Sequence, residues 1–342
     1  MGRRNDDASA PSLPGRLRYV SDAEPGIRRR RRGGRFVYVG PRGRPVRNPR
    51  VLERIRALAI PPAYEDVWIC RLGNGHIQAT GRDARGRKQY RYHPRWRRLR
   101  DADKFERLGP FAEVLPALRQ ALAADLRRQG LPRVKVLAAI VTLLDKTLIR
   151  IGNEEYARHN SSYGLTTLRS HHVRAGHRRV EFNFRGKSGK DHAVVLSDAR
   201  LARIIRHCQG LPGQLLFQYY GEDGALTRVR SNDVNAYLRE RTGLDVTAKH
   251  FRTWGATLHF TRCWYESLES APTLGKDARV RRCLAQVAQR LGNTPAVCRN
   301  AYLDPRVVDA LRAGRWELPA DAGDDDPYEV ALRTFLAKDD DA

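Results

Sequence analysis

Cysteine is scarce and scattered in this chain of 342 residues. Its five cysteines, Cys70, Cys208, Cys263, Cys283 and Cys298, include no Cys-x-x-Cys pair. That argues against a zinc ribbon or disulfide scaffold and suits a reducing compartment; the thiols are expected to pack as small hydrophobes. Long apolar runs are also missing, so no bilayer-spanning segment and no membrane partner are expected. The opening MGRRNDDASAPSLPG lacks the apolar stretch of a secretory signal, which points to a cytoplasmic location. No fixed-period repeat is present.

Metal and nucleotide signatures are absent too. His171 and His172 are adjacent, so their side chains are expected to diverge on a strand, and no cysteine or carboxylate cluster completes a site. Gly186-Lys187-Ser188 imitates the end of a phosphate loop. That motif needs a glycine where Glu181 stands, and GKSGK joins two strand patterns rather than a strand and a helix. Neither a metal nor a nucleotide cofactor is expected.

Positive charge, by contrast, is abundant. The chain has 64 Lys and Arg against 38 Asp and Glu, a net charge of +26. Such a surplus attracts polyanions, and double-stranded DNA is the obvious one, because lysine and arginine displace counterions condensed on phosphate.

The length fits two domains. Residues 1–15 are polar and expected to be disordered. Residues 16–98 carry short strand patterns split by Gly, Pro and Asn: RFVYV, VWICRL, HIQATGRD and RKQYRYH, with one short helix, VLERIRALAI. The run Arg28 to Arg32 reads as a solvated loop, with a phosphate-contacting arm as the functional alternative. Residues 99–318 are mainly helical, with apolar residues at helical spacing in VKVLAAIVTLLDKTLIRIGNEEYA and a hairpin signature in VEFNFR and HAVVL around GKSGK. Residues 319–342 read as an acidic tail with a short helix. The fold class is therefore α+β: a small, mostly antiparallel sheet domain and a larger, mainly α domain with a β-hairpin.

The chemistry-bearing residues make sense as a set. Attack on a phosphodiester needs an oxygen nucleophile, cations on the non-bridging oxygens and an acid for the leaving oxygen. Arginine suits the second task because its fork holds two oxygens and stays charged; lysine can give up a proton. A free phenol has a pKa of about 10, so nearby positive charge must favour its anion. In chain order the candidates are Arg150 at the end of an apolar helix, Lys187 at the hairpin tip, Arg252 at a helix start, and Asn293 and Tyr302 in LGNTPAVCRNAY.

These motifs resemble those of the type IB DNA topoisomerases, in particular the compact poxvirus-like bacterial branch, from about Arg18 to Ala310. IRIGNEEY resembles the first-arginine segment, FRGK the hairpin of the general-acid lysine and KHFRTWGAT the second-arginine motif. LGNTPAVCRNAY resembles the nucleophile motif, with Tyr302 nine residues after Asn293. GRDARGRKQYRY resembles the family's DNA-contacting strand pair, which implies DNA contacts by Arg82, Arg85, Arg87, Lys88, Tyr90 and Tyr92. Many members carry histidine where Asn293 stands; an amide can donate a hydrogen bond there but carries no charge.

The resemblance implies a monomeric, nucleoid-associated enzyme that closes around duplex DNA and relaxes supercoils through a 3′-phosphotyrosyl intermediate, without ATP or metal. Two alternatives stay open. A tyrosine recombinase shares the chemistry, but recombinases usually have histidine three residues before the second arginine, where Lys249 stands. A non-catalytic basic DNA-binding protein is the other.

Overall fold

The computed structural model describes residues 12–13, 17–84, 86–221, 223–319, 321–323 and 325–339. The chain divides into two compact units, Met1–Lys104 and Phe105–Ala342.

In the first unit, β1 (Ser12–Leu13) and β2 (Leu17–Arg18) form a short antiparallel pair. There follow β3 (Ile27–Arg32), β4 (Arg35–Val39), helix α1 (Pro49–Ala57), β5 (Glu65–Ile69), β6 (Ile77–Arg82), β7 (Lys88–Tyr92) and α2 (Pro94–Glu106), which crosses the boundary. Strands β3 to β7 build an antiparallel sheet in the order β4-β3-β5-β6-β7.

The arginine run, expected in a loop, is a strand. Arg32 pairs with Arg35 across Gly33 and Gly34, whose φ values are +54° and +76°. Positive φ at both central positions is the type I′ form of a two-residue hairpin turn, which glycine adopts without steric cost. The turn thus forces the run to pair with RFVYV. Strand alternation then splits the arginines. Arg29 shares a face with Tyr38, and Arg31 with Phe36. On that side Ile27, Val67, Ile69 and Ala79 pack against Ile55 of α1. Asn48 caps α1, its Oδ1 accepting from Arg50 N at 3.0 Å, with Pro49 at the first turn.

The second unit contains α3 (Leu108–Asp125), α4 (Arg133–Thr147), α5 (Glu154–Asn160), β8 (Val173–Ala175), β9 (Arg179–Arg185), β10 (Asp191–Ser197), α6 (Ala199–Gln209), β11 (Gln218–Tyr220), β12 (Leu226–Arg228), α7 (Ser231–Thr242), α8 (Ala248–Ser270), α9 (Lys276–Leu291), α10 (Pro295–Ala301), α11 (Pro305–Ala313) and α12 (Pro327–Asp339). Helix α4 is the axis of its core: Val136 to Val141, Leu143 and Leu144 are fully buried, as a helix apolar on all sides must be. Helices α3, α7 and α8 surround it. Strands β8, β9 and β10 form a three-stranded antiparallel sheet whose β9–β10 hairpin turns at Lys187–Gly189. The acidic C-terminal segment carries α12, which packs on α3 and α8 with Leu332 and Leu336 fully buried.

His171 and His172 do not diverge on a strand. Ser170–His172 is a single helical turn, which brings the two rings to 4.3 Å, and His172 Nδ1 accepts from Arg169 N at 3.0 Å. All five cysteines are buried free thiols. Among the described residues no helix is long and apolar enough to cross a membrane, and no group of three or more His, Cys, Asp or Glu is placed to hold a metal ion.

Candidate active site

Arg150 does not end helix α4; it lies just beyond it. Leu148 terminates that helix in the left-handed region, φ +57°. The chain then runs beside Gly164–Thr166: Leu165 N donates to Arg150 O at 2.9 Å and Thr166 N to Ile151 O at 2.8 Å. A β-carbon on Gly164 would sit 2.5 Å from Arg150 O, so only glycine allows this approach. The half-buried Arg150 donates from Nη2 to Asn293 Oδ1 at 2.6 Å.

Arg252, in the second turn of α8, is only 4% exposed. Its Nη2 donates to Leu291 O at 3.1 Å and its Nη1 to Leu148 O. These carbonyls close α9 and α4, where helix ends are electronegative and favour a cation. Burial and then the charge of Arg150 pull the Arg252 guanidinium down to about 10, with Tyr302 acting the other way; it stays charged at neutral pH. Its Nε is buried with no hydrogen-bond partner among the described residues. Asn293 Nδ2 is buried as well and, among the described residues, has only the Cys298 thiol to donate to, while its oxygen serves Arg150.

Tyr302 caps the C-terminus of α10, its N donating to Cys298 O at 3.0 Å. Thr294 and Pro295 start that helix, and Asp304, fully buried, starts α11 directly after the tyrosine. The turn between two capped helices fixes the phenol. The Arg252 guanidinium lies 4.9 Å from the ring centroid. Burial pushes the phenol up. The charges of Arg252 and Arg150, a hydrogen bond from Arg252 and the charge of Lys187 outweigh it, and hold the group below an ordinary tyrosine.

Lys187 stands at the hairpin tip, exposed and without a partner among the described residues. The structure therefore gathers Arg150, Arg252, Asn293 and Tyr302 around one point, with Lys187 close enough for its charge to act on the phenol. Sequence reasoning missed His192 and Lys190. The hairpin register pairs His192 with Phe184, and Lys190 Nζ donates to Asn293 O at 3.2 Å. The available signal was their position just after the hairpin tip, Lys190 closing the turn and His192 on the returning strand opposite Phe184.

The residues expected to touch DNA lie in the first unit and behave unequally. Tyr90 and Tyr92 are 41% and 36% exposed, with rings stacked at 5.8 Å and 9°; Lys88 shares their face of β7. Lys88 already pairs with Asp22 at 2.6 Å, and Arg87 with Asp83 at 2.6 Å. Arg82 is exposed, donates to Gly86 O at 2.9 Å and has Asp66 at 3.6 Å. Arg85 lies outside the described residues.

Known families and proteins resemble this chain. Residues 93–313 match the family described as eukaryotic DNA topoisomerase I, catalytic core. Residues 35–83 match that described as bacterial DNA topoisomerase IB, N-terminal domain. The chain is 32% identical over 315 residues to DNA topoisomerase 1B of Acanthamoeba polyphaga mimivirus, covering 90% of this chain and 94% of that one. It is 20% identical to DNA topoisomerase 1B of Vaccinia virus (strain Copenhagen), over 73% and 76% of the two chains. The chain belongs to the type IB DNA topoisomerases, enzymes of the isomerase class.

Proposed function

We propose that this enzyme relaxes supercoiled duplex DNA by cutting and resealing one strand. Tyr302 Oη attacks the scissile phosphorus and loses its proton to solvent. The bond from phosphorus to the 5′ oxygen breaks as Lys187 protonates that oxygen, leaving a 3′-phosphotyrosyl link and a free 5′ hydroxyl. Arg150 and Arg252 hold the non-bridging oxygens, and Asn293 turns its Nδ2 from the Cys298 thiol to the same group. The cut strand swivels, and the 5′ hydroxyl reverses the step. One phosphodiester is exchanged for another, so the bond energy is conserved and no ATP is consumed.

The observation that carries this reading is the half-buried Tyr302 phenol, packed 4.9 Å from the Arg252 guanidinium and held below its ordinary pKa. A tyrosine kept for packing alone would be pushed up by that burial. In the first unit, Tyr90 and Tyr92 stack on sugars and base edges, Arg82 meets phosphate, and Arg28, Arg30 and Arg32 form a second phosphate-contacting row. Arg82, Lys88 and Arg87 contribute when DNA displaces their carboxylate partners Asp66, Asp22 and Asp83.

The test is a supercoiled plasmid incubated with the protein in EDTA and without ATP. Relaxation is expected, together with a covalent protein–DNA adduct on denaturant quenching. Tyr302→Phe should abolish both while leaving DNA affinity within a few-fold. Relaxation by Tyr302→Phe, or none by the wild type in EDTA, would refute the proposal.

A further inference from the structure

The β9–β10 hairpin is tied to the segment bearing Asn293 at two points. Lys190 Nζ donates to the Asn293 carbonyl at 3.2 Å. The His192 imidazole fills the space between Gly186 and Gly292. A β-carbon on Gly186 would lie 2.5 Å from its Cδ2 and 2.6 Å from its Nε2, and one on Gly292 would overlap its Cε1. Phe184 stacks on the ring, centroids 5.1 Å apart and planes at 8°. Gly186 immediately precedes Lys187, and Gly292 immediately precedes Asn293. One imidazole therefore abuts the backbone just ahead of two of the five site residues.

The hairpin tip does not supply this order by itself. Ser188 and Gly189 have φ of +64° and +73°, Lys187 is exposed, and a lysine side chain on four methylenes carries much rotamer freedom. A proton donor placed loosely is a poor one, since a misplacement of about 1 Å can cost about a hundredfold in rate. The ring is suited to be a spacer. Burial and then the charges of Arg150, Arg252 and Lys190 keep it below an ordinary histidine, so it packs as a neutral group beside the cations and competes for no phosphate.

We propose that His192, with Lys190, is a positioning clasp that sets the Lys187 backbone against the Gly292–Asn293 segment, so that the ammonium meets the leaving 5′ oxygen. The proposal rests on Lys187 as the acid. It separates positioning of the proton donor from stabilisation of the phosphoryl charge, which Arg150 and Arg252 provide.

The separation is measurable by single-turnover cleavage of two duplexes, one with an ordinary 5′ oxygen at the scissile bond and one with sulfur there. A thiolate leaves without help from an acid. His192→Ala should slow cleavage of the oxygen substrate by about tenfold to a hundredfold and leave the sulfur substrate within a few-fold of wild type. Lys187→Ala should show the same pattern with a larger loss; Arg150→Ala should be slow on both. His192→Ala slow on both, or unimpaired on both, overturns the clasp. Gly186→Ala drives a methyl into the ring and should copy the His192→Ala pattern, and the double variant should be no worse than His192→Ala alone. Lys190→Met, at an exposed position, carries the test if His192→Ala does not fold, and a uniform effect on both substrates there also overturns it. If Lys187→Ala is not rescued by sulfur, the acid assignment falls and the clasp with it. If Lys187→Ala is rescued and His192→Ala is not, the clasp alone falls.

Discussion

At the residue scale, the site works by setting one burial against two charges. The phenol of Tyr302 is desolvated, which favours its neutral form, and the nearby guanidiniums reverse the balance. As a matter of stability this shift counts only in alkali. A group with a depressed folded pKa adds stability above its unfolded value, near 10 for tyrosine, and loses it as pH falls through the folded value. At neutral pH it therefore serves chemistry. The cleavage rate should rise with pH and level off below the pH at which free tyrosine ionises. Arg252→Ala removes the largest of the lowering influences, so its rising limb should move to higher pH, with a loss of about 10²–10³ in maximal rate. Single-turnover cleavage across pH checks both; a limb that stays in place would separate Arg252 from the phenol. Asn293 gives a second prediction. Asn293→Asp keeps an oxygen against Arg150 but neutralises that cation, removes the Nδ2 donor and places an anion beside the phosphate. It should cleave more slowly than Asn293→Ala, judged by adduct formation rate. The types and order of these residues were legible in the sequence because phosphoryl chemistry restricts them. His192 was not, because a spacer has no chemical signature: its role lies in the room left by two glycines more than a hundred residues apart.

At the element scale, β3 shows how one run of identical residues divides its work. Arg29 donates to Ile60 O at 3.2 Å, Pro61 O at 3.0 Å and Tyr64 O at 2.6 Å, and its guanidinium lies 4.3 Å from the Phe36 centroid. It fastens the chain entering β5. Arg28, Arg30 and Arg32 point the other way and are exposed, with no carboxylate partner among the described residues. Composition could not separate them; strand alternation does, once the Gly-Gly turn sets the register. Arg29→Gln should lower the stability of the first unit by about 1–3 kcal/mol, since it leaves carbonyls unsatisfied, and leave the salt dependence of DNA binding unchanged. Changing Arg28, Arg30 and Arg32 together to Gln should do the reverse. The slope of log affinity against log salt should flatten by about 0.9 for each phosphate that the variant no longer neutralises, with the melting temperature held. Helix α12 was legible as a short helix but not as part of the core, because its acidic flanks read as solvated. Two acids of this segment are partnered: Glu329 meets Arg119 at 2.6 Å and Asp326 meets Arg262, while Phe335 stacks on Trp316 at 4.8 Å. Leu332→Ala should therefore cost about 2–5 kcal/mol, seen as a lower denaturant midpoint.

At the scale of the whole molecule, charge and chemistry are distributed unevenly between the two units. Residues 1–104 carry 27 Lys and Arg against 10 Asp and Glu (27 − 10 = +17), and residues 105–342 carry 37 against 28 (37 − 28 = +9). All five proposed catalytic residues belong to the second unit, and so does the large core built on α4. The first unit has separate apolar clusters of its own. Each unit thus has what a fold needs, but the smaller one holds most of the net positive charge. Affinity for duplex DNA that depends on released counterions should therefore reside mainly in residues 1–104, and the cleavage chemistry in residues 105–342. Residues 105–342 expressed alone should fold, with a single cooperative melt, and should form the Tyr302 adduct at saturating DNA. Their DNA affinity should be weaker and its salt dependence shallower than for the full chain. The measurement is adduct yield against DNA concentration at two salt concentrations. A well-folded fragment that gives no adduct at any DNA concentration would show that the first unit takes part in the chemical step itself, beyond its hold on the substrate.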